Sequence, residues 1–284
     1  MEITILTVNY NTSHFIELML FSFSRLTRRK WKMIICDNGS KDKDFLKLRE
    51  IVQKYDNVEI ISRDQGKDQP SIAHGKSIDL LISKVDTPYF LLMDSDCVFL
   101  RKYWDDDVIN EMKSGDYTLL GTPSIFNIYK SIDFPEVYAT MFDTQKYKEL
   151  GSPSLCPDIN WANSDNKSTV EQKDTGWLVR EECIKQKHKF YVFDGIYTKH
   201  NYIKSRYFLG IYCLEFFMKG TDEIMCSHFG RGGSDGKWKF EDIKSFIPKA
   251  LLRKHQISKW IRLSEKIIIK QSNLSSPIPL VPLT

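Results

Sequence analysis

The sequence predicts an α/β fold in which a mostly parallel sheet is flanked by helices and followed by a C-terminal helical arm. Three observations lead to this prediction. Strand-like and helix-like segments alternate over the first hundred residues, as right-handed crossovers between parallel strands require. An apolar, aromatic-rich run around Phe90 is typical of a strand buried on both faces. Beyond residue 239, apolar residues recur at three- and four-residue steps, which indicates helix.

The elements of the first half follow in a regular order. β-branched and aromatic residues mark the strands, and apolar residues at helical spacing mark the helices. Strands are predicted at residues 3–8, 31–36, 58–62, 87–93 and 117–121, and helices at residues 13–26, 45–55 and 71–83, with a short helix near residue 105.

The second half is less regular. Residues 122–174 are rich in Tyr, Phe, Asn, Pro and Ser, and an irregular segment of that length usually carries function. We then predict a helix at 175–186, strands at 189–193 and 223–228, a Gly-rich loop at 230–234, a helical stretch at 239–270 and an extended tail.

Composition narrows the function classes. A net charge of +4 on 284 residues does not demand a nucleic acid partner. Six cysteines without zinc-ligand spacing are expected to be buried free thiols in a reducing compartment. The N-terminus lacks a signal-peptide pattern, and no apolar run approaches the ~20 residues of a membrane span. We therefore expect a cytoplasmic protein, with peripheral contact at the cytoplasmic face of the membrane left open.

Two acids end the Phe90 strand. Ligands of open α/β sheets bind at the carboxyl ends of strands, so Asp94 and Asp96 are expected in the functional crevice. Two carboxylates separated by one residue can share a hard divalent cation, with help from substrate phosphate oxygens. The tripeptide alone is more often a solvated turn, and it is the preceding apolar strand that favours a metal site.

Three strand-end turns together resemble the signature segments of family 2 glycosyltransferases with the GT-A fold. They are TVNYN at 7–11, ICDNGSKD at 35–42 and LMDSD at 92–96. The resemblance implies a GT-A catalytic domain over residues 1–238, with a nucleotide-binding half at 1–100 and an acceptor half at 101–238. Residues 239–284 would then form a basic helical arm and tail.

The resemblance also assigns donor-binding roles. Asp37 would accept an N–H of the nucleotide base, with Thr7, Asn9 and Tyr10 around the base pocket. Asp94 would face the ribose, and Asp96, next to Ser95, would face a Mn²⁺ or Mg²⁺ cofactor. For Asp37 the alternative is an Asx turn that caps the next helix.

The family places a basic or amide-bearing helix start before the fourth strand. Here the segment is SIAHGK at 71–76, which nominates Ser71 and His74 for donor contacts, and His74 stands where Asn or Arg is more usual.

A late segment, SHFGRGGS at 227–234, resembles a His-x-Gly-Gly-Gly-Ser element of rhamnosyltransferase-like members. His228 would be a metal ligand, and nitrogen beside carboxylate oxygen suits Mn²⁺ better than Mg²⁺. Arg231 could add charge against the departing pyrophosphate. The alternative for His228 is a hydrogen-bonded surface group.

The catalytic base is harder to place. The family's Glu-Asp pair is missing from the matching region, YFLGIYCLE at 207–215. Asp174 is the first replacement candidate, with a helix N-cap as its alternative role, and Asp194, Asp158 and Glu215 follow. Two tryptophans, Trp161 and Trp177, could stack on a sugar ring or belong to the core.

The helical arm is basic. Residues 237–270 contain ten Lys or Arg against three acids. Such a helix could lie on an anionic bilayer beside a lipid-linked acceptor, or pack on the catalytic domain with its charges in water.

The sequence thus predicts an inverting, metal-dependent glycosyltransferase that uses a nucleotide-diphosphate sugar to build a surface polysaccharide. A UDP-sugar is favoured as donor, with dTDP-rhamnose next, and the acceptor would be a glycan or a lipid-linked molecule. The alternative is a non-catalytic subunit that binds nucleotide-sugar or glycan. A dinucleotide-binding oxidoreductase is disfavoured because the turn after the first strand contains no glycine.

Overall fold

The structure is a computed structural model that describes residues 1–124, 133–164, 173–199, 205–230, 248–278 and 280. Its strands are β1 (Ile3–Asn9), β2 (Trp31–Asp37), β3 (Val58–Ser62), β4 (Tyr89–Asp94), β5 (Cys97–Phe99), β6 (Leu119–Gly121), β7 (Ala139–Asp143), β8 (Phe190–Val192), β9 (Asp194–Tyr197), β10 (Leu214–Phe217) and β11 (Ile224–His228). Its helices are α1 (Ser13–Leu26), α2 (Asp42–Val52), α3 (Pro70–Ile82), α4 (Trp104–Gly115), α5 (Thr144–Glu149), α6 (Ile159–Ala162), α7 (Trp177–Gln186) and α8 (Lys249–Ser272).

The chain forms two compact units, each with its own sheet. Unit 1 comprises Met1–Asn11, Arg28–Asp94 and Asp105–Phe193, and unit 2 comprises Thr12–Thr27, Ser95–Trp104 and Asp194–Thr284. The first predicted half, residues 1–100, therefore contributes to both units.

Unit 1 contains a seven-stranded sheet in the order β3-β2-β1-β4-β7-β6-β8. The β3-β2-β1-β4 part is parallel, whereas β7 pairs antiparallel with both β4 and β6. Every residue of β1 is buried, as expected for a parallel strand with neighbours on both edges and helix α3 packed against it. Phe90 of β4 stacks on Phe142 of β7, with ring centroids 4.7 Å apart. The mostly parallel sheet predicted from the sequence is confirmed.

Gly75 of α3 allows the segment around Cys156 to pack close to this helix. A Cβ atom on Gly75 would lie 2.6 Å from the Cα of Cys156, a distance that backbone packing does not tolerate. The same approach is secured by Asp79, whose carboxylate accepts hydrogen bonds from Ser154 Oγ at 2.5 Å and from the Leu155 N–H at 2.7 Å. The segment around Cys156 is therefore held tightly against α3.

Unit 2 contains a four-stranded antiparallel sheet in the order β5-β11-β10-β9. Helix α1 packs against both α8 and β5. Phe99 stacks on Trp104 with ring centroids 3.9 Å apart, and Phe23 of α1 packs against both rings. These three side chains form an aromatic cluster in the core of unit 2.

The structure corrects the expectation that residues 122–174 are irregular. Within the described part of this segment lie β7, α5 and α6. Asp143 and Asp158 are the N-cap residues of α5 and α6. The Asp143 carboxylate accepts one backbone N–H of its helix, and the Asp158 carboxylate accepts two. Strands β5, β9 and β10 were not predicted either. These strands have three or four residues, too few for a clear period, and their pairing partners lie elsewhere in the sequence.

The cysteines agree with the expectation of buried free thiols, since five of the six are buried and Cys156 is partly buried. All six cysteines are free thiols, and burial raises the pKa of Cys183 to about 12. Across the described residues, no helix combines the length and apolar character that a membrane crossing needs.

Candidate functional site

The carboxyl ends of β1 and β2 meet at a buried amide. The two strands run parallel with Asn9 opposite Asp37. Asn9 Nδ2 donates to Asp37 Oδ1 at 2.8 Å, and the acceptors Ser40 Oγ and Asp44 Oδ2 lie 3.0 and 3.1 Å away. Because Asn9 is fully buried, these contacts fix the orientation of the Asp37 carboxylate.

Asp37 also carries the turn that follows it. Its second oxygen, Oδ2, accepts the Ser40 N–H at 3.2 Å and so closes the turn, but the N-cap of α2 is Lys41, so Asp37 does not cap that helix as the alternative role required. That hydrogen bond leaves the predicted role in base recognition open, since a carboxylate has lone pairs for further donors. The role remains a prediction.

Arg63, which the sequence did not single out, holds the loop after β3 through hydrogen bonds. Arg63 follows β3, and its guanidinium donates to Asn38 Oδ1 at 2.8 Å, to Asp68 Oδ2 at 2.7 Å and to the Ala73 carbonyl at 3.3 Å. Its backbone N–H donates to the Asp37 carbonyl at 2.8 Å. Arg63 thus joins the turn after β2 to the first turns of α3. An arginine directly after a strand was the available signal.

Three predicted donor-binding residues surround one small cavity of unit 1. Thr7, His74 and Asp94 line a space of about 10 Å³, and His74 Nε2 lies 3.6 Å from Asp94 Oδ1. Thr7 is only 2% exposed, and its hydroxyl has no hydrogen-bond partner among the described residues. A volume of that size holds about one water molecule, so this cavity by itself does not accommodate a nucleotide base.

The remaining donor candidates differ in exposure. Tyr10 is 40% exposed, and Ser71 lies partly buried in the first turn of α3. Ser95, partly buried, separates Asp94 from Asp96. Arg231 lies outside the described residues.

Asp96 and His228 form a buried pair in unit 2. Asp96 directly precedes β5, and His228 ends β11, which pairs antiparallel with β5 so that His228 is opposite Cys97. His228 Nε2 lies 3.0 Å from Asp96 Oδ1, and both side chains are nearly inaccessible. The Phe229 N–H donates to the Asp96 carbonyl at 2.9 Å, which fixes the backbone beside the pair.

These side chains have the chemistry of a metal site. Asp96 and His228 of unit 2 offer a carboxylate oxygen and an imidazole nitrogen, and a second acid, Asp94, lies two residues before Asp96 in the sequence. Carboxylate oxygens and imidazole nitrogens are common protein ligands of divalent metal ions. The role of His228 as a metal ligand stays a prediction.

Of the candidate bases, Asp174 and Asp194 are both accessible. Asp174 Oδ1 accepts the Thr175 N–H at 2.8 Å, and helix α7 begins at Trp177 with Gly176 as its N-cap, so Asp174 does not cap the helix. Asp194 begins β9 and accepts the Gly220 N–H at 2.7 Å.

Glu215 has different surroundings. It is fully buried on β10, and its carboxylate accepts Ser205 Oγ at 2.7 Å and the backbone N–H groups of residues 206, 207 and 208 at 3.2, 3.3 and 2.9 Å. Four hydrogen bonds of this kind favour a role in holding residues 205–208.

The other side chains raised for acceptor contacts lie in unit 1. Asp158 is the N-cap of α6. Trp161 is buried, whereas Trp177 is partly exposed and has Lys173 Nζ 4.6 Å from its ring centroid. Trp177 is therefore the better placed of the two tryptophans to meet a sugar.

Comparison with known proteins gives one family. The model of glycosyl transferase family 2 matches residues 4–162, more than half of the chain. A curated relative, the teichoic acid poly(glycerol phosphate) polymerase of Staphylococcus epidermidis, is 30% identical over 96 residues, which is 34% of this chain and 13% of that protein. The chain therefore matches only a small part of that relative's length.

One solved structure shows a similar fold. The mannosyltransferase PcManGT from Pyrobaculum calidifontis, in complex with GDP-Man and Mn²⁺, has a TM-score of 0.50 and 8% identity, over 67% of this chain and 54% of that one. S. aureus TarS 1–349 in complex with UDP-GlcNAc has a TM-score of 0.42 and 12% identity, over 56% of this chain and 49% of that one.

Proposed function

The chain belongs to glycosyl transferase family 2 and is a glycosyltransferase with the GT-A fold, and from that premise we propose that it transfers a sugar from a nucleotide-diphosphate donor in a metal-dependent, inverting reaction. The family and the fold predicted from the sequence are confirmed. A UDP-sugar is the proposed donor, with dTDP-rhamnose as the second choice. The donor, the metal dependence and every residue role below are parts of the proposal.

The contact between Asp96 and His228 carries the proposal. A buried carboxylate and imidazole lie 3.0 Å apart, and they offer one oxygen and one nitrogen ligand, a combination that suits Mn²⁺ better than Mg²⁺. Asp94, Asp96 and His228 would hold the ion, which when bound supplies Lewis-acid neutralisation of the leaving diphosphate.

Asp37 is the residue that we propose to recognise the nucleotide base. Its carboxylate is held by Asn9 and by the Ser40 N–H, so it is oriented before the ligand arrives. Uracil and thymine present a ring N–H that a carboxylate accepts, whereas a cytosine ring nitrogen offers no such donor. Guanine also presents a ring N–H, so this contact disfavours cytosine and agrees with the two donors named above without selecting them over a guanine nucleotide. Residues 1–100 are proposed as the nucleotide-binding half and residues 101–238 as the acceptor half.

Asp174 is the proposed catalytic base. A partly exposed carboxylate can take the proton of the acceptor hydroxyl while that oxygen attacks the anomeric carbon and the diphosphate leaves. The proton then resides on Asp174, and one displacement inverts the anomeric centre. Asp194 is the second candidate because it is accessible, and Glu215 is the third because it is fully buried.

A cell-surface polymer is the proposed product. The local similarity to a teichoic acid polymerase supports this class of product. The proposed acceptor is a glycan or a lipid-linked molecule. Helix α8 supports contact with an anionic membrane surface, since Lys249–Ser272 contains seven Lys or Arg against one Glu. Its buried face packs within unit 2, which leaves Lys254, Arg262 and Lys266 exposed.

Thermal-shift measurements with UDP, dTDP, GDP and CDP, each with and without Mn²⁺, test the donor class. A ligand at 100 times its dissociation constant stabilises the fold by ~2.7 kcal/mol. We expect UDP or dTDP with Mn²⁺ to give the largest shift. A larger shift with GDP or CDP, or a UDP shift independent of Mn²⁺, would contradict the proposal.

A further inference from the structure

Trp260 of helix α8 lies behind the strand that ends in His228. It is 1% exposed, and its Nε1–H donates to Ser227 Oγ at 2.9 Å. Ser227 Oγ in turn donates to the Leu214 carbonyl at 2.8 Å, across the β10–β11 pair. Ser227 directly precedes His228, so a side chain of the C-terminal helix fixes one neighbour of the proposed metal ligand.

The indole ring fixes the other neighbour. Its centroid lies 5.8 Å from that of Phe229, the residue after His228, and 5.8 Å from that of Phe15 in an edge-on arrangement. Phe229 is buried, and its N–H is the donor to the Asp96 carbonyl. Both residues that flank His228 are therefore held by Trp260, and one of them is bonded to the backbone of Asp96.

Helix α8 is itself held in register by polar contacts on the same face. Gln256 Nε2 donates to the Gly210 carbonyl at 3.1 Å, and Gln256 Oε1 accepts the Tyr212 N–H at 3.0 Å. One helical turn separates Gln256 from Trp260, and farther along the Lys102 N–H donates to Gln271 Oε1 at 3.3 Å. A helix fixed at both ends keeps Trp260 at a constant height behind β11.

From these contacts we propose that Trp260 is a positioning residue for the Asp96–His228 pair. The inference rests on the proposed function, and it adds that the basic C-terminal helix is part of the metal site's architecture. A ligand imidazole must be oriented closely for metal binding, and groups behind the ligands commonly set that orientation. The backbone of a strand end, fixed at the residues before and after the ligand, provides such an orientation.

The experiment compares Trp260→Phe with Trp104→Phe. Both tryptophans are buried in unit 2 and both donate one hydrogen bond to a hydroxyl, since Trp104 Nε1 donates to Thr27 Oγ1 at 3.0 Å. The control therefore loses the same kind of bond without touching a neighbour of His228. Ser227→Ala removes the acceptor and keeps the indole, which covers the case that Trp260→Phe fails to fold.

Two readouts are taken on full-length protein. The first is the ring ¹⁵N chemical shift of His228 in metal-free protein, assigned with His228→Gln. The second is the dissociation constant for Mn²⁺, measured by electron paramagnetic resonance.

We expect the His228 shifts to move in Trp260→Phe and Ser227→Ala and to stay in place in Trp104→Phe, with Mn²⁺ binding roughly tenfold weaker in the first two. Unchanged His228 shifts in Trp260→Phe and Ser227→Ala, or an equal change in Trp104→Phe, would overturn the proposal. If the wild-type protein binds no Mn²⁺, the metal part of the proposed function fails, while the chemical shifts still decide whether Trp260 positions His228.

Discussion

Asn9 Nδ2 donates a hydrogen bond of 2.8 Å to Asp37 Oδ1, and this contact joins the ends of two neighbouring parallel strands. A fully buried amide with one of its acceptors on Asp37 leaves that carboxylate little freedom to turn. The Asp37 carboxylate, which we propose to recognise the nucleotide base, is therefore oriented in the ligand-free protein. This lowers the entropic cost of nucleotide binding.

Replacing Asp37 tests the base-recognition role. Asp37→Asn keeps the shape but lacks the charged acceptor, and we expect UDP to bind roughly 10- to 100-fold more weakly, as loss of a charge-assisted hydrogen bond of about 1.5–3 kcal/mol predicts. Isothermal titration calorimetry checks this. Asp44→Asn is the matched control, since Asp44 also contacts Asn9, from helix α2. Equal losses in both variants would indicate that only the Asn9 cluster matters.

Replacing Asp174 tests the proposed base. Asp174→Asn should lower kcat by about 10²- to 10⁴-fold and leave donor affinity unchanged, because the general base acts on the acceptor hydroxyl. Steady-state kinetics with a defined acceptor measures both kcat and the donor affinity. Asp158→Asn, which changes a helix N-cap in the same unit, should retain kcat within about threefold. Activity retained in Asp174→Asn and lost in Asp194→Asn would move the role to Asp194.

Glu215 is expected to act on stability. Glu215→Gln removes the charge that accepts four hydrogen bonds, so the free energy of unfolding should fall by about 1.5–3 kcal/mol. Chemical denaturation measures it, with Glu182→Gln, which loses a surface ion pair with Lys185, as a control that should change stability much less. A kcat reduced 100-fold at unchanged stability would instead make Glu215 a catalytic residue.

The Asp68 contacts predict a pH dependence. Lys76, and after it Arg63, hold the pKa of the Asp68 carboxyl below its usual range. A pKa lowered in the folded state gives stability that is present above the unfolded value of about 3.9 and lost as the pH falls through the folded pKa. The stability difference between wild type and Asp68→Asn should therefore shrink below about pH 4. Urea unfolding over a pH series measures it, and a difference that grows with acid would contradict the assignment.

Several features could be predicted because they are local. The buried parallel strands show as continuous apolar runs, and the polar turns after β1, β2 and β4 identify Asn9, Asp37 and Asp94 at the sheet edge. Helix α1 was predicted with its observed bounds because its apolar residues keep a helical period.

Other features depend on partners far along the chain. Arg63 matters through Asn38, Asp68 and Ala73, which a single-sequence pattern does not connect. Trp260 looked like one apolar position of a basic helix, yet its hydrogen-bond partner, Ser227, lies 33 residues earlier. Short strands such as β5 and β10 form because of their neighbours, so their own residues carry little signal.

The most direct test of the central claim is donor hydrolysis by wild type and Asp96→Ala, with and without Mn²⁺, followed as release of UDP from a UDP-sugar. Asp222→Ala, an exposed acid of the same unit paired with Arg206, is the control. The account predicts Mn²⁺-dependent release by wild type and Asp222→Ala, and a loss of at least about 100-fold in Asp96→Ala. Release that persists in Asp96→Ala or in the presence of a chelator would contradict it, as would a wild-type protein that binds UDP and releases none.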